Sequence, residues 1–132
     1  MKLTQDEIFY INRFDALTKV MARDCIVAEN VIAFVVKPED IGRAIGKNGK
    51  NARLLAKQFG KRVEIFALQD TPEEFIKSAF PDIKFSSVEK KGNTVIIKLD
   101  SPERRKFMEY IARFKRIKKF AERNYNIEDI RF

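Results

Sequence analysis

The sequence has no histidine and no tryptophan, a single cysteine (Cys25), five glycines and four prolines in 132 residues. Without histidine there is no Ser-His-Asp triad and no imidazole metal ligand. One cysteine makes neither an internal disulfide nor a Cys-rich zinc site, so Cys25 reads as a buried thiol in a reducing compartment. Long apolar runs are missing too. The longest spans residues 31–36, against the roughly 20 residues of a membrane-spanning helix. Lys2, Asp6 and Glu7 interrupt the first residues, which lack a signal-peptide core. These absences predict a cytoplasmic protein with no membrane partner. Hydrophobic residues, at 45%, are enough for a packed core and exclude a disordered basic tail. The 27 Lys and Arg exceed the 19 Asp and Glu, giving a net charge of +8 and a pI near 9.7. A soluble chain with this balance is expected to meet a polyanion. The length fits one ordinary domain or two very small ones.

The positive charge is concentrated in two segments. Residues 41–62 carry seven basic side chains and no acid, and residues 104–123 carry nine with only Glu109 and Glu122 against them. Each segment is therefore +7 and the remainder is −6. Charge kept for solubility alone is normally dispersed; clustering is the footprint of a nucleic-acid binder, the alternative being two ordinary solvated helix faces.

Element order follows from local signals. Thr4 with Glu7 three residues on is a capping box opening a helix over 4–21, with Ile8, Ile11, Phe14 and Leu17 as its apolar positions. Residues 25–28 and 31–37 read as a hairpin about Glu29-Asn30. Pro38, Glu39 and Asp40 suit the first turn of a short helix. Gly46 and Gly49 interrupt it, a second helix runs over 49–59, and Gly60 ends that helix. Residues 62–68 alternate as a strand. The same order then recurs. A helix opens at Thr71-Pro72 and reaches Ala79; strands are expected over 83–88 and 94–99; helical sequence runs from Ser101 to about Asn124; a last strand covers 127–132. The expectation is an α+β chain, α-β-β-α-α-β written twice, with modules at 1–69 and 70–132. Each is small enough to be marginal alone, so the two are expected to pack together.

One segment carries chemistry: Ile41-Gly42-Arg43-Ala44-Ile45-Gly46-Lys47-Asn48-Gly49-Lys50-Asn51. A bare G-x-x-G marks many turns, and the glycines alone could simply end one helix and start another. Here the pair joins two short helices and is followed by a basic one. Glycines without Cβ atoms let a sugar-phosphate chain approach closely, and the N–H groups opening the next helix favour an anion. Lys47, Lys50, Arg43 and Arg53 supply cations and Asn48 a polar contact for phosphates. Ile41 and Ile45, one turn apart, form an apolar wall for splayed bases, or else are plain core residues. A dinucleotide fingerprint is excluded by the glycine interval, and a P-loop by the lack of Gly-Lys followed by Ser or Thr.

With this loop in place, the α-β-β-α-α-β order resembles a type II KH domain, whose G-x-x-G loop clamps about four nucleotides of single strand. Two such modules in so short a chain resemble the small archaeal NusA-like transcription termination/antitermination proteins, which look like the paired KH core of bacterial NusA. The resemblance implies single-stranded RNA as partner, RNA polymerase as a further one, and transcript elongation or termination as the process. It implies no cofactor and no small-molecule substrate.

The second module departs from the pattern. No glycine follows Gly92. Counting from Pro102 puts the loop at Tyr110; matching Tyr125 to Gly60 puts it over 111–114. Side chains at either place would hold a phosphate backbone off. A secondary basic surface of Arg113, Lys115, Arg116 and Lys119 remains; it could touch phosphates, bind polymerase or only shape the tandem. Catalysis is not expected, because most acids lie in helix N-terminal turns and no nucleophile–base pair is visible. Two rival functions stay open: a ribosome-assembly or RNA-chaperone protein, and a polymerase-bound adaptor that binds no RNA.

Overall fold

A computed structural model of the chain describes residues 3–132. Helix α1 (Gln5–Thr18) opens with the capping box read from the sequence. The Glu7 backbone N–H donates to Thr4 Oγ1 at 3.1 Å and the Thr4 N–H donates to Glu7 Oε1 at 2.9 Å. The helix ends at Thr18 rather than Met21. The Thr18 hydroxyl donates to the Phe14 carbonyl at 2.8 Å and accepts the Val20 N–H at 3.1 Å. Lys19 turns left-handed at φ 63°. Such side-chain bonds give the backbone an alternative to a further helical turn. The buried row is Glu7, Ile11, Phe14 and Thr18. Ile8, expected in that row, is 46% exposed, because one residue is a 100° step around the helix.

Strand β1 (Asp24–Val27) pairs antiparallel with β2 (Val31–Val36), setting Cys25 opposite Phe34. Every residue of β2 is buried, consistent with its unbroken apolar run. The chain then leaves the sheet through a tight turn at Pro38–Asp40, helix α2 (Ile41–Ile45), a second turn at Lys47–Gly49 and helix α3 (Lys50–Phe59). It returns as β3 (Arg62–Ala67), parallel to β2, with sheet order β1-β2-β3. The core of this part joins Ile11, Phe14, Phe34, Val36, Ala44 and Leu55, all buried. The Phe14 and Phe34 rings meet at 4.3 Å. Cys25 is a buried thiol outside any disulfide.

The chain divides into two compact units between Leu68 and Gln69. In the C-terminal unit, α4 (Pro72–Ala79) is capped by Thr71, whose hydroxyl accepts the Glu74 N–H. Strands β4 (Ser87–Lys91) and β5 (Thr94–Lys98) form a hairpin around Gly92, which has φ 61°. Helices α5 (Ser101–Glu109) and α6 (Ile111–Tyr125) follow, then β6 (Asp129–Arg131), parallel to β5. The strand expected from residue 83 begins only at Ser87. Ile83 is buried as the anchor of a turn, its N–H donating to the Phe80 carbonyl at 3.0 Å. Its spacing from Phe85 imitates strand alternation. The last strand is also shorter than 127–132, because Phe132 packs its ring on Phe107 and Phe114, each at 5.0 Å. Asn126 ends α6 at φ 57°, as Gly60 ends α3 at φ 65°. Asn126, not Tyr125, is therefore the counterpart of Gly60. The Tyr125 hydroxyl donates to the Gln69 carbonyl at 2.6 Å, and burial pushes its pKa up to about 12. Among the described residues no helix is long and apolar enough to cross a membrane.

Leu55 is the fully buried residue of α3, and the adjacent Leu54 is 40% exposed. Leu55→Ala is expected to cost about 2–5 kcal/mol in urea unfolding, and Leu54→Ala no more than about 0.5 kcal/mol. Equal losses would show that α3 is not held by its Leu55 row.

Candidate nucleic-acid interface

The loop between α2 and α3 is built around two glycines with positive φ. Gly46 has φ 81° and ψ 165°, and Gly49 has φ 75° and ψ 17°. The first lies in a region populated almost only by glycine. Space forbids a side chain there as well: a Cβ on Gly46 would sit 2.9 Å from both the backbone nitrogen and the Cγ of Asn51. At Gly49 a Cβ would approach only the Arg53 guanidinium, at 3.2 Å. Asn48 between them is also left-handed, at φ 56°. The chain closes through a Gly49 N–H to Gly46 carbonyl bond of 3.0 Å, and α3 starts at the next residue with no side-chain cap. The backbone at residues 46–49 is thus turned tightly beside the uncapped start of a helix, a place suited to an anion.

Side chains around the loop sort into braces and contacts. Lys47, Asn48 and Lys50 are exposed. Arg43 is exposed but ion-paired with Asp40 at 2.9 Å. The Arg53 guanidinium donates to the Asn48 carbonyl. Arg53 is exposed, and this bond braces the loop from α3. Ile41 and Ile45 lie one turn apart on α2 and are both half-buried. Ile41 packs against the N-terminal core while Ala44 is fully buried within it. β3 is an edge strand, half-buried from Val63 to Ala67. Asn51, not singled out in the sequence, holds the joint together. Its Nδ2 donates to the Arg43 carbonyl at 2.9 Å, satisfying an acceptor at the end of α2. Its place two residues after the second glycine was visible; its contact eight residues back was not.

The C-terminal unit builds the same joint without a loop. A single residue, Tyr110, separates α5 from α6, with φ −100° and ψ 22°. The register counted from Pro102 therefore finds the break, and residues 111–114 are the first turn of α6. Tyr110 donates to Asp82 Oδ2 at 2.9 Å, and this bond raises its pKa. Arg113 stacks over the Tyr110 ring at 5.2 Å and donates to the Ala79 carbonyl at 3.4 Å. Arg113 and Arg116 are half-buried, and Lys115 and Lys119 are exposed one turn apart. Of the proposed secondary surface, the lysine pair is the part presented to solvent.

Residues 14–71 match the family model described as NusA-like second KH domain. The chain is similar to a probable transcription termination protein NusA of Methanocaldococcus jannaschii, 33% identical over 136 residues that cover 99% of this chain and 74% of that protein. It is similar to the namesake from Methanococcus vannielii, 33% identical over 99 residues, covering 74% and 57%. The protein of the same name from Halococcus morrhuae is 25% identical over 132 residues, covering 97% and 95%. Among solved structures, the crystal structure of APE1850 is similar with a TM-score of 0.73 at 28% identity, covering 97% of this chain and 98% of that one.

The two glycines flanking Ile45 make a controlled pair. Gly42 lies inside α2 with nothing near its would-be Cβ, so Gly42→Ala should stabilise by about 0.4–1 kcal/mol. Gly46→Ala should destabilise by about 1–3 kcal/mol and raise amide exchange across residues 46–51. Thermal unfolding and hydrogen exchange read both; a neutral Gly46→Ala would refute the steric account of the joint.

Proposed function

Because the chain belongs to the archaeal NusA-like transcription termination proteins, we propose that it binds single-stranded RNA by clamping the backbone at residues 46–49 of its N-terminal unit. The observation that carries this reading is the loop itself: a tight turn lacking side chains at Gly46 and Gly49, flanked by exposed Lys47 and Lys50, opening onto an uncapped helix start. The phosphates approach the glycines, the lysines neutralise them, and Asn48 adds a polar contact. Bases splay toward Ile41, Ile45 and the edge strand β3. Arg43 and Arg53 keep the loop in shape and contribute positive potential at short range. The two units are two type II KH modules in tandem, the first with its loop intact and the second degenerate. In the second, Lys115 and Lys119 on α6 offer an auxiliary basic surface, for RNA or for RNA polymerase. The protein works in the cytoplasm as a binding factor, without a catalytic step, in transcription elongation or termination.

Binding of a fluorescent single-stranded RNA, followed by anisotropy over a salt series, tests the clamp. The log–log slope should be about −0.7 for each phosphate neutralised. Lys47→Asp with Asn48→Asp should weaken binding about ten-fold or more and flatten that slope, with far-UV dichroism unchanged. Lys115→Glu with Lys119→Glu should cost less than about three-fold. Salt-independent binding would sink the clamp, and a larger loss from the lysine pair on α6 would move the active site to the C-terminal unit.

A further inference from the structure

A second feature of the N-terminal unit lies at the opposite end of α3 from the glycine loop. Phe9, Tyr10, Arg13, Gln58 and Phe59 line a pocket of about 370 Å³. That is near the lower limit for small-molecule pockets, which run from about 300 to 1,000 Å³, and suits one planar group. Three of the five walls are aromatic. The Tyr10 ring stands edge-on to Phe9 at 5.3 Å and to Phe59 at 4.9 Å. Phe9 is 51% exposed, and the Arg13 guanidinium lies over its ring at 5.3 Å. No acid lines the pocket.

The pocket connects to the loop along one exposed ridge of α3. Lys50, Arg53 and Lys57 follow at i, i+3 and i+7, with Leu54 and Gln58 at i+4 and i+8, and all five are exposed. From Lys50 to Gln58 the helix rises about 12 Å. This ridge has cations at its start and middle and an aromatic pocket with an amide at its end.

We propose that the pocket is a second base-binding station, receiving a nucleobase of the RNA strand that continues past the glycine loop. The inference rests on the RNA-clamp reading and extends it. Phosphates follow Lys50 and Lys57 along the ridge. The base stacks on the Phe9–Arg13 face, since both phenyl rings and guanidinium planes accept unstacked bases. Gln58 carries a donor and an acceptor on one amide and meets the base edge. A protein partner fits less well: five residues with a cationic approach offer little area for an apolar helix or strand, whereas cations with aromatics match a single strand.

Two RNAs separate the outcomes, one of about four nucleotides, the length a G-x-x-G loop holds, and one about three times longer. Phe9→Ala should leave the short RNA unchanged and weaken the long one about 5- to 150-fold. Gln58→Glu, a surface change that spares the apolar packing, should weaken the long RNA in the same direction. It guards against a Phe9→Ala protein that fails to fold. If both variants bind both RNAs as wild type does while Lys47→Asp with Asn48→Asp binds neither, the station is refuted and the clamp stands. If wild-type protein binds neither RNA, the clamp fails and the station with it. If the variants keep both RNAs but lose purified archaeal RNA polymerase, the pocket is a protein contact and the inference is overturned.

Discussion

The Asn51 backbone nitrogen and Cγ lie 2.9 Å from where a side chain on Gly46 would begin, and the geometry of the α2–α3 joint depends on that approach. It lets the Asn51 amide reach back to the Arg43 carbonyl, so the last turn of α2 is tied to the first turn of α3. The intervening residues must then turn within Lys47–Gly49, which only left-handed conformations at Asn48 and Gly49 permit. The cost of these conformations is local and falls on residues that tolerate them. What results is a backbone with little side-chain cover next to a helix start whose N–H groups no side chain caps. The same asparagine thus shapes the turn and leaves it open.

The two basic segments are equal in formal charge and unequal in what they present. Around the glycine loop, Arg43 and Arg53 are held by Asp40 and by the Asn48 carbonyl, while Lys47, Lys50 and Lys57 are exposed. In the C-terminal unit more of the charge meets a local partner. Lys118 pairs with Asp129 at 3.0 Å, and Arg131 joins it at 3.1 Å. Lys106 pairs with Glu103 at 3.1 Å, and Arg104 covers the Phe132 ring. The carboxyls respond. Hydrogen bonds from Lys118 and then Arg131 hold Asp129 below its usual range. Glu103 is lowered by the Lys84 backbone N–H first and by Lys106 second. Since the screening length is about 8 Å at physiological ionic strength, a cation already facing a carboxylate adds little field at a distance. The +7 of residues 104–123 therefore overstates the basic surface it presents more than the +7 of residues 41–62 does.

Features written in adjacent residues were legible in the sequence. The capping box at Thr4, the apolar run of β2, the turn at Pro38 and the αL cap at Gly60 each depend on neighbours within about four residues. The glycine loop was legible for the same reason, and so was its absence after Gly92. What eluded sequence reading depends on rotation or distance. Ile8 misses the buried row of α1 by one residue. Arg53 donates to the Asn48 carbonyl, a contact five residues back that spacing does not announce. Asn51 acts across eight residues of chain. Residues 83–86 alternate like a strand but anchor a turn, because the pairing partner on β5 ends at Lys98, opposite Ser87. The aromatic pocket joins residues some fifty positions apart, with no spacing to announce it.

The relation of that pocket to the loop follows from sharing a helix. A G-x-x-G turn grips few nucleotides, and each phosphate contact fades as salt rises. A second contact on the same strand adds to the first as an intramolecular event, with an effective concentration set by what joins the two sites. Here the joint is not a flexible linker but ten residues of α3, anchored by the buried Leu55. A rigid spacer spends no entropy on bringing the stations into register, and it accepts only strands whose own geometry spans its length. Stacking on an aromatic ring is less salt-sensitive than phosphate contact, so the two proposed stations would complement each other where screening weakens the loop. In the proposed two-station reading, selection for a continuous single strand, rather than for any polyanion, would arise from the spacing along α3.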